Sequence, residues 1–205
     1  MTKITRRLFT LMAPLAVAGL AAGSSSAQQL SLNAISNYMN SFTTAEAEFT
    51  QINSDGTIST GQVYIKRPGR IRFEYNPPEE ALVIAGGGSL AVFDPRSNTG
   101  PDRYPLSETP LKIILERNIN LSRTNMVTGH TSDGTTTTVT AQDPDHPEYG
   151  NIQMVFTADP VELRQWIVTD DVGNQTTVIL GDLAKNGNNR DILFNIQRET
   201  RNWGT

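Results

Sequence analysis

The sequence contains no cysteine among its 205 residues, which excludes disulfide bonds, a thiolate nucleophile, cysteine-ligated zinc and a cysteine-linked lipid anchor. It also lacks a surplus of positive charge, since 17 Lys and Arg stand against 21 Asp and Glu and the formal net charge is -4. This balance, with no basic stripe, argues against binding of nucleic acid. Packing and strand pairing must therefore hold the fold, and the length fits one domain.

Motifs for catalysis, cofactors and metals are missing or incomplete. The glycines at 86–88 have neither the spacing nor the following helix of a nucleotide-binding loop. Ser89 follows them in a sequence that lacks the last glycine of a nucleophile elbow, so we interpret it as part of a hairpin turn. His130 has no partner motif, and a solvated loop explains His146 better than a metal site does. We therefore predict no catalytic residue, no metal and no cofactor, and an enzyme is the weaker class.

The N-terminal segment has the pattern of an export signal. Residues 1–10 carry basic side chains, including the pair Arg6 and Arg7, and no acid, and an apolar run over 11–22 follows. That run is shorter than the ~20 residues of a membrane-spanning helix but suits the core of a signal peptide. Small residues lead to a cleavage site after Ala27. We predict a cleavable signal peptide over 1–27 that resembles a twin-arginine signal.

Residues 28–205 are predicted to form one domain in which helix periodicity gives way to strand periodicity. Residues 30–42 place an apolar stripe on one helical face, and residues 109–117 predict a second short helix with Pro110 at its first position. Turn sequences at 53–56, 132–134 and 170–174 separate strand-like runs, which predicts a strongly curved antiparallel sheet or barrel. The predicted strands cover residues 45–49, 61–67, 70–75, 81–85, 90–93, 135–141, 151–156, 163–169, 175–180 and 192–197.

Arg67 is the unusual residue in these strands. Alternation places it on the same face as Val63 and Ile65. If that face points inward, the guanidinium is buried and needs acceptors such as carbonyls at a helix end or a carboxylate. Alternatively, the strand ends at Lys66 and Arg67 extends to solvent at the rim. The pattern alone leaves both interpretations open.

Several motifs resemble those of a known family. They are Phe49 and Gln51 in an F-x-Q pattern, Lys66-Arg67-Pro68 before alternating aromatics, Phe93-Asp94-Pro95 at a strand end, and Thr109-Pro110 opening a helix. In order and spacing, residues from about 45 to 117 resemble the LolA family of periplasmic outer-membrane lipoprotein carriers.

This resemblance implies a fold and a function. The fold is an unclosed antiparallel β-barrel of about 10–11 strands with a helical lid. The protein would act in the periplasm as a monomeric chaperone that hides the acyl chains of lipoproteins under the lid. It would receive them from an inner-membrane lipoprotein release transporter and deliver them to an outer-membrane lipoprotein receptor.

The resemblance also assigns roles to residues. Arg67 matches the arginine that bonds the lid helices and holds the lid closed. By their pattern, the residues expected to line the cavity and the lid are Val63, Ile65, Ile71, Phe73, Tyr75, Phe93, Leu111, Ile114 and Leu115.

Two other functions remain open at this stage. A periplasmic lipid-binding or sensing module of the same fold would take up free lipid without releasing lipoproteins from membranes. A hydrolase acting through Ser89 and a histidine would need ester turnover that is lost in Ser89→Ala. The membrane-anchored receptor with the same fold needs a lipidated cysteine, which this sequence lacks.

Overall fold

The computed structural model describes residues 28–97, 99–123 and 125–203. Three α-helices occur in this part of the chain: α1 (Leu32–Asn40), α2 (Leu111–Ile114) and α3 (Ile196–Asn202). The strands are β1 (Thr44–Ile52), β2 (Ile58–Lys66), β3 (Arg70–Tyr75), β4 (Leu82–Gly86), β5 (Ser89–Phe93), β6 (Asp102–Pro105), β7 (Val127–Ser132), β8 (Thr136–Gln142), β9 (Asn151–Ala158), β10 (Val161–Thr169), β11 (Gln175–Leu180) and β12 (Ala184–Lys185).

The strands form one 12-stranded antiparallel sheet in the spatial order β6-β5-β4-β3-β2-β1-β11-β10-β9-β8-β7. The short β12 pairs with β1 beside β11. Strands β6 and β7 lie at the two ends of this order and, within the described residues, do not pair with each other, so the barrel is not closed. This confirms the predicted unclosed antiparallel architecture.

Hairpin turns set the register of most strand pairs. The predicted turns at 53–56, 132–134 and 170–174 are confirmed between β1 and β2, β7 and β8, and β10 and β11. Between β4 and β5, Gly87 and Gly88 have φ of 59° and 82°. Two positive φ angles in succession suit the tight hairpin that matches sheet twist, and glycine adopts them without strain. Ser89 therefore begins β5, as the hairpin interpretation predicted.

Two faces of the sheet are covered by different helices. The concave face holds the main core, which α1 and α2 pack against. The convex face of β4 and β5 holds a second cluster that includes Phe93, and there α3 brings in Ile196 while the Trp203 ring packs 5.0 Å from the Phe93 ring. Both faces of these two strands are therefore apolar, as strands between two packed layers require.

Helix α1 forms where the periodicity placed it. Ser31 is its N-cap, and the Ser31 hydroxyl oxygen accepts a hydrogen bond of 3.1 Å from the Ala34 amide. Ile35 and Met39, one turn apart, are both buried against the sheet. The helix is shorter than the predicted 30–42, but the buried Phe42 beyond its end continues the same apolar stripe.

Helix α2 is also shorter than predicted, at one turn. Pro110 is its N-cap rather than its first residue, and no side chain caps it. The Thr109 hydroxyl donates instead to the Leu106 carbonyl at 2.9 Å, closing a preceding 3-10 turn over Leu106–Glu108. The sequence pattern predicted the existence of α2 correctly. Its ends differ from the prediction because local hydrogen bonds set them.

The predicted strand over 192–197 is wrong. These residues form a 3-10 helix over Asp191–Phe194 followed by α3. The Asn195 side chain accepts from the Arg198 amide and caps α3, and the buried Phe194 and Ile196 mimic strand alternation. Strands β6, β7 and β12 were not predicted, because they are short or polar edge strands with exposed side chains.

The segment that joins β12 to α3 is fixed to the sheet by a buried asparagine. Asn189 is 5% exposed, and its Nδ2 donates to the carbonyls of Ala45 and Ile65, each at 3.1 Å. The adjacent Lys66 binds the Asn189 carbonyl at 2.8 Å through its ammonium. The C-terminal part of the chain thereby crosses β1 and β2 before it covers the convex face.

The predicted signal peptide over 1–27 lies outside the described residues. Among the helices that the structure does describe, none has the length and hydropathy to cross a membrane.

Replacing Asn189 tests this attachment. We expect Asn189→Ala to lower the free energy of unfolding by about 1–3 kcal/mol, because it removes two buried hydrogen bonds to the Ala45 and Ile65 carbonyls. The measurement is urea denaturation followed by circular dichroism. The matched control is Asn188→Ala, since Asn188 is exposed and makes no side-chain hydrogen bond within the described residues. Equal unfolding curves for both variants would contradict this account.

Candidate functional site

An apolar cavity of about 250 Å³ opens on the concave side of the sheet. It lies where β1 and β3 end, beside α2 and across from β10 and β11. Among the residues that the structure describes, no charged side chain lines it. The lining consists of Gln51, Phe73, Tyr75, Val83, Leu90, Leu111, Trp166, Val168, Thr176 and Val178.

Aromatic side chains form the inner wall of this cavity. The Phe73 ring lies 5.3 Å from that of Phe49 and 6.3 Å from that of Trp166, both close to perpendicular. The Tyr75 ring meets Phe49 at 5.2 Å in the same edge-to-face arrangement. Edge-to-face packing of this kind makes a firm apolar surface. An uncharged, aromatic-walled cavity suits a hydrocarbon ligand.

The cavity is small compared with ordinary ligand sites, which measure about 300–1,000 Å³. The remaining concave surface is occupied by α1 and α2, whose Ile35, Met39, Ile113 and Ile114 are buried in the same core. A longer apolar ligand would therefore have to take the place of one of these helices.

Arg67 holds the end of α1 against the sheet. It is 5% exposed, and its Nη2 donates to the carbonyls of Met39 and Phe42. Its Nη1 lies 3.5 Å from the Asn40 Oδ1, and its Cζ lies 5.2 Å from the centre of the Phe42 ring. Of the two interpretations of the sequence, the structure shows the inward one.

Two electrostatic effects oppose each other at this contact: attraction of the guanidinium by helix carbonyls, and the cost of burying its charge. Carbonyls at the end of a helix carry the negative end of its dipole, so they attract a cation. Burial lowers the pKa of the Arg67 guanidinium from its ordinary value, although arginine stays protonated in proteins. The Arg67 Nε is buried and makes no hydrogen bond within the described residues. The contact thus combines strong hydrogen bonds with an incompletely compensated buried charge.

Helix α2 is held by the same turn of the chain. The Gly69 amide, two residues after Arg67, donates to the Leu115 carbonyl at 2.8 Å. Gly69 has φ of 69°, a conformation that favours glycine. The turn between β2 and β3 therefore contacts both covering helices, with a side chain on α1 and a backbone amide on α2.

Asn40 connects the two covering segments directly. Its Nδ2 donates to the Ile119 carbonyl at 2.8 Å, and its Oδ1 accepts from the Ile119 amide at 2.9 Å. One turn earlier, the Ser36 hydroxyl accepts from the Leu121 amide at 3.0 Å. The polar side of α1 therefore binds the backbone that follows α2, and the two segments form one unit.

The predicted lining residues fall into three groups. Phe73, Tyr75 and Leu111 line the cavity. A second group is buried in the surrounding core without lining the cavity, and it comprises Val63, Ile65, Ile71, Ile114 and Leu115.

Phe93 forms the third group, and its predicted place in the cavity is wrong. It lies on the convex face, packed against Trp203 and fully buried. Alternation along β5 separates Leu90 from Phe93, and it is Leu90 that reaches the cavity. Because both faces of β5 are apolar, the pattern could not show which face points inward.

Sequence reasoning missed most of the far wall. Trp166 lies on β10 next to a register shift between Leu163 and Gln165. The bulge lets Leu163 and Trp166, three residues apart, both point inward, which simple alternation forbids. Gln51 belongs to the F-x-Q pattern, which signalled the residue but not its position at the cavity.

The family model described as outer membrane lipoprotein carrier protein LolA matches residues 40–197. An outer-membrane lipoprotein carrier protein of Pseudomonas paraeruginosa is 25% identical over 187 residues, which is 86% of this chain and 89% of that protein. Another of the same name from Coxiella burnetii is 38% identical over 74 residues, and this match spans 34% of the chain and only 35% of the relative.

Among solved structures, a LolA superfamily protein from Nitrosomonas europaea superposes with a TM-score of 0.42 at 12% identity. The superposition covers 81% of this chain and 98% of that one. The family match extends from the end of α1 into α3 and includes the whole sheet. The chain therefore belongs to the LolA family of outer membrane lipoprotein carrier proteins.

Proposed function

We propose that this protein is a periplasmic carrier that binds the acyl chains of lipoproteins released from the inner membrane and delivers them to the outer membrane. The proposal rests on the uncharged cavity beside α2, on a concave face whose other covering helix, α1, is held at its end by one buried arginine. Membership of the carrier family supports the same function. In this role the protein needs no cofactor and works as a monomer with one inner-membrane release transporter and one outer-membrane receptor.

The physical task of such a carrier is to hide hydrocarbon from water. Moving an acyl chain from a membrane into water costs about 0.8 kcal/mol for each CH₂ group. The concave face supplies an apolar surface that α1 and α2 cover. If an acyl chain takes the place of part of these helices, the apolar concave surface stays covered in both states, which lowers the net energy of loading and release.

Arg67 is the contact that this exchange must break. Its hydrogen bonds to α1 are strong only while the helix carbonyls lie beside it. Opening the lid exposes the guanidinium to water, which offsets part of the lost bonding because the charge becomes hydrated. We propose that this balance makes the lid a two-state element, with Val63, Ile65 and Ile71 on the sheet surface that the lid uncovers and Ile114 and Leu115 on the lid itself.

The direct test of the function is lipoprotein release. Purified protein without residues 1–27 is added to spheroplasts, and the supernatant is blotted for newly made lipoproteins. We expect release in a one-to-one complex with the protein. If lipid is bound but no lipoprotein is released, the protein is instead a lipid-binding or sensing module of the same fold.

Trp166 provides a reporter for acyl binding. We expect brominated acyl chains to quench Trp166 fluorescence by more than half, because this ring lines the cavity. Trp203 lies on the opposite face against Phe93, so it should not be quenched. Single-tryptophan variants, Trp203→Phe and Trp166→Phe, separate the two signals. Equal quenching of both tryptophans would indicate nonspecific contact with lipid.

Removing the Arg67 charge should loosen the lid. We expect hydrogen exchange of the amides at the end of α1 to accelerate about tenfold or more in Arg67→Leu, which corresponds to ~1.4 kcal/mol. Exchange in the centre of the sheet should stay unchanged. The matched control is Arg117→Leu, since Arg117 is exposed and makes no side-chain hydrogen bond within the described residues. Unaltered exchange in α1 and unaltered lipoprotein transfer would contradict the role of Arg67.

Asn40 should determine whether the two lid segments open together. We expect Asn40→Ala to speed exchange of the Leu121 amide severalfold, although Leu121 is bonded to Ser36 and not to Asn40. The variant Asn40→Asp keeps the acceptor for the Ile119 amide, so its Leu121 exchange rate should lie between those of the unaltered protein and Asn40→Ala. Asn37→Ala is the control, because Asn37 is exposed on the same helix. Equal Leu121 exchange in the Asn40 and Asn37 variants would show independent segments.

A further inference from the structure

A polar pair interrupts the apolar cavity at its mouth. Tyr75 Oη donates to Gln51 Oε1 at 2.8 Å, and both side chains line the cavity. Gln51 lies one residue before the end of β1, and Tyr75 ends β3. The pair therefore lies where the cavity meets the tips of the hairpins rather than in its depth.

The pair is held in a fixed orientation. Gln51 Nε2 donates to Asn53 Oδ1 at 2.6 Å. Asn53 Nδ2 in turn donates to the hydroxyls of Thr57 at 2.9 Å and Ser59 at 3.2 Å. This chain of bonds anchors Gln51 in the β1–β2 turn, so the amide does not have to be ordered when a ligand binds.

The pair keeps hydrogen-bonding capacity for a ligand. A glutamine amide nitrogen carries two donors, and the bonds within the described residues use one of them, to Asn53. The Tyr75 oxygen retains its lone pairs as acceptors. Burial raises the pKa of Tyr75 to about 12, so the phenol stays protonated at neutral pH and remains a donor to Gln51. The free N–H of Gln51 is the group that a ligand carbonyl would meet.

The uncharged lining of the cavity also favours a neutral ligand over an anionic one. The described part of the chain places no lysine or arginine in its lining. A carboxylate placed there would lose its hydration without gaining a cation, which is costly, whereas a neutral carbonyl needs only one N–H donor. The site therefore favours an ester or amide over a free fatty acid.

We propose that Gln51 and Tyr75 form a binding site for the neutral acyl carbonyl, ester or amide, that joins a fatty chain to its polar head. The chain then extends from the pair into the cavity towards Phe73 and Trp166, and the head group stays outside. This assignment rests on the proposed acyl-carrying function and names the part of the ligand that the mouth recognises.

Three probes of equal chain length test the proposal: methyl decanoate, decyl methyl ether and decanoate. Their affinities are measured by displacement of a neutral environment-sensitive dye from the protein. We expect the ester to bind about five- to tenfold more tightly than the ether, as one added hydrogen bond would give. We expect decanoate to bind more weakly than the ester.

Two variants locate the effect. Gln51→Leu should bring the ester-to-ether ratio close to one while the affinity for the ether stays the same. Tyr75→Phe keeps the ring and should reduce the ratio in part. Gln62→Leu is the matched control, since Gln62 lies on the neighbouring β2 with its side chain on the opposite face, and it should keep the full ratio.

The outcomes separate this proposal from the function on which it rests. A ratio near one in the unaltered protein, or an unchanged ratio in Gln51→Leu, overturns the carbonyl site while leaving acyl binding intact. Tighter binding of decanoate than of the ester overturns the preference for a neutral carbonyl. If no probe displaces the dye, the proposed acyl-carrying function itself fails, and the carbonyl site fails with it.

Discussion

The burial of one apolar surface, the concave face of an unclosed sheet, governs the rest of this structure. A sheet that does not close must cover that face or expose it to water, and α1 and α2 cover it here. Helices that pack on a sheet can be replaced there by another apolar group of similar size more easily than strands that pair within it. On the convex face, the segment that leads into α3 is held by Asn189 and by Arg72, which donates to the Leu193 carbonyl at 2.9 Å.

The two ends of the sheet have different roles in this account. Arg67 lies level with the start of β1, whereas Gln51 lies near its end, so roughly 25 Å of strand separates the helix contact from the cavity mouth. At one end a buried charge binds helix carbonyls, and at the other an uncharged cavity is bordered by a neutral polar pair. Between these ends, Asn40 at the end of α1 binds the Ile119 backbone in the segment that follows α2.

Sequence patterns predicted the sheet, its turns and the inward option for Arg67, because strand alternation and turn chemistry are local signals. They failed where tertiary contacts decide. Phe93 sits on an apolar strand whose two faces look alike until α3 covers one of them, and Trp166 points inward only because of a bulge. The strand predicted over 192–197 is helical because Asn195 caps α3, a signal that the alternating apolar residues concealed.

In the proposed carrier function, cargo and α1 compete for the same concave surface. The absence of native cysteine allows two labels to be placed without background, at Asn37→Cys on α1 and Glu48→Cys on the outer face of β1. Pulsed electron paramagnetic resonance then gives the distance between spin labels at these positions with and without an acylated lipoprotein. We expect a longer distance when cargo is bound, because α1 then leaves the sheet. An unchanged distance in a complex shown to hold cargo would contradict it.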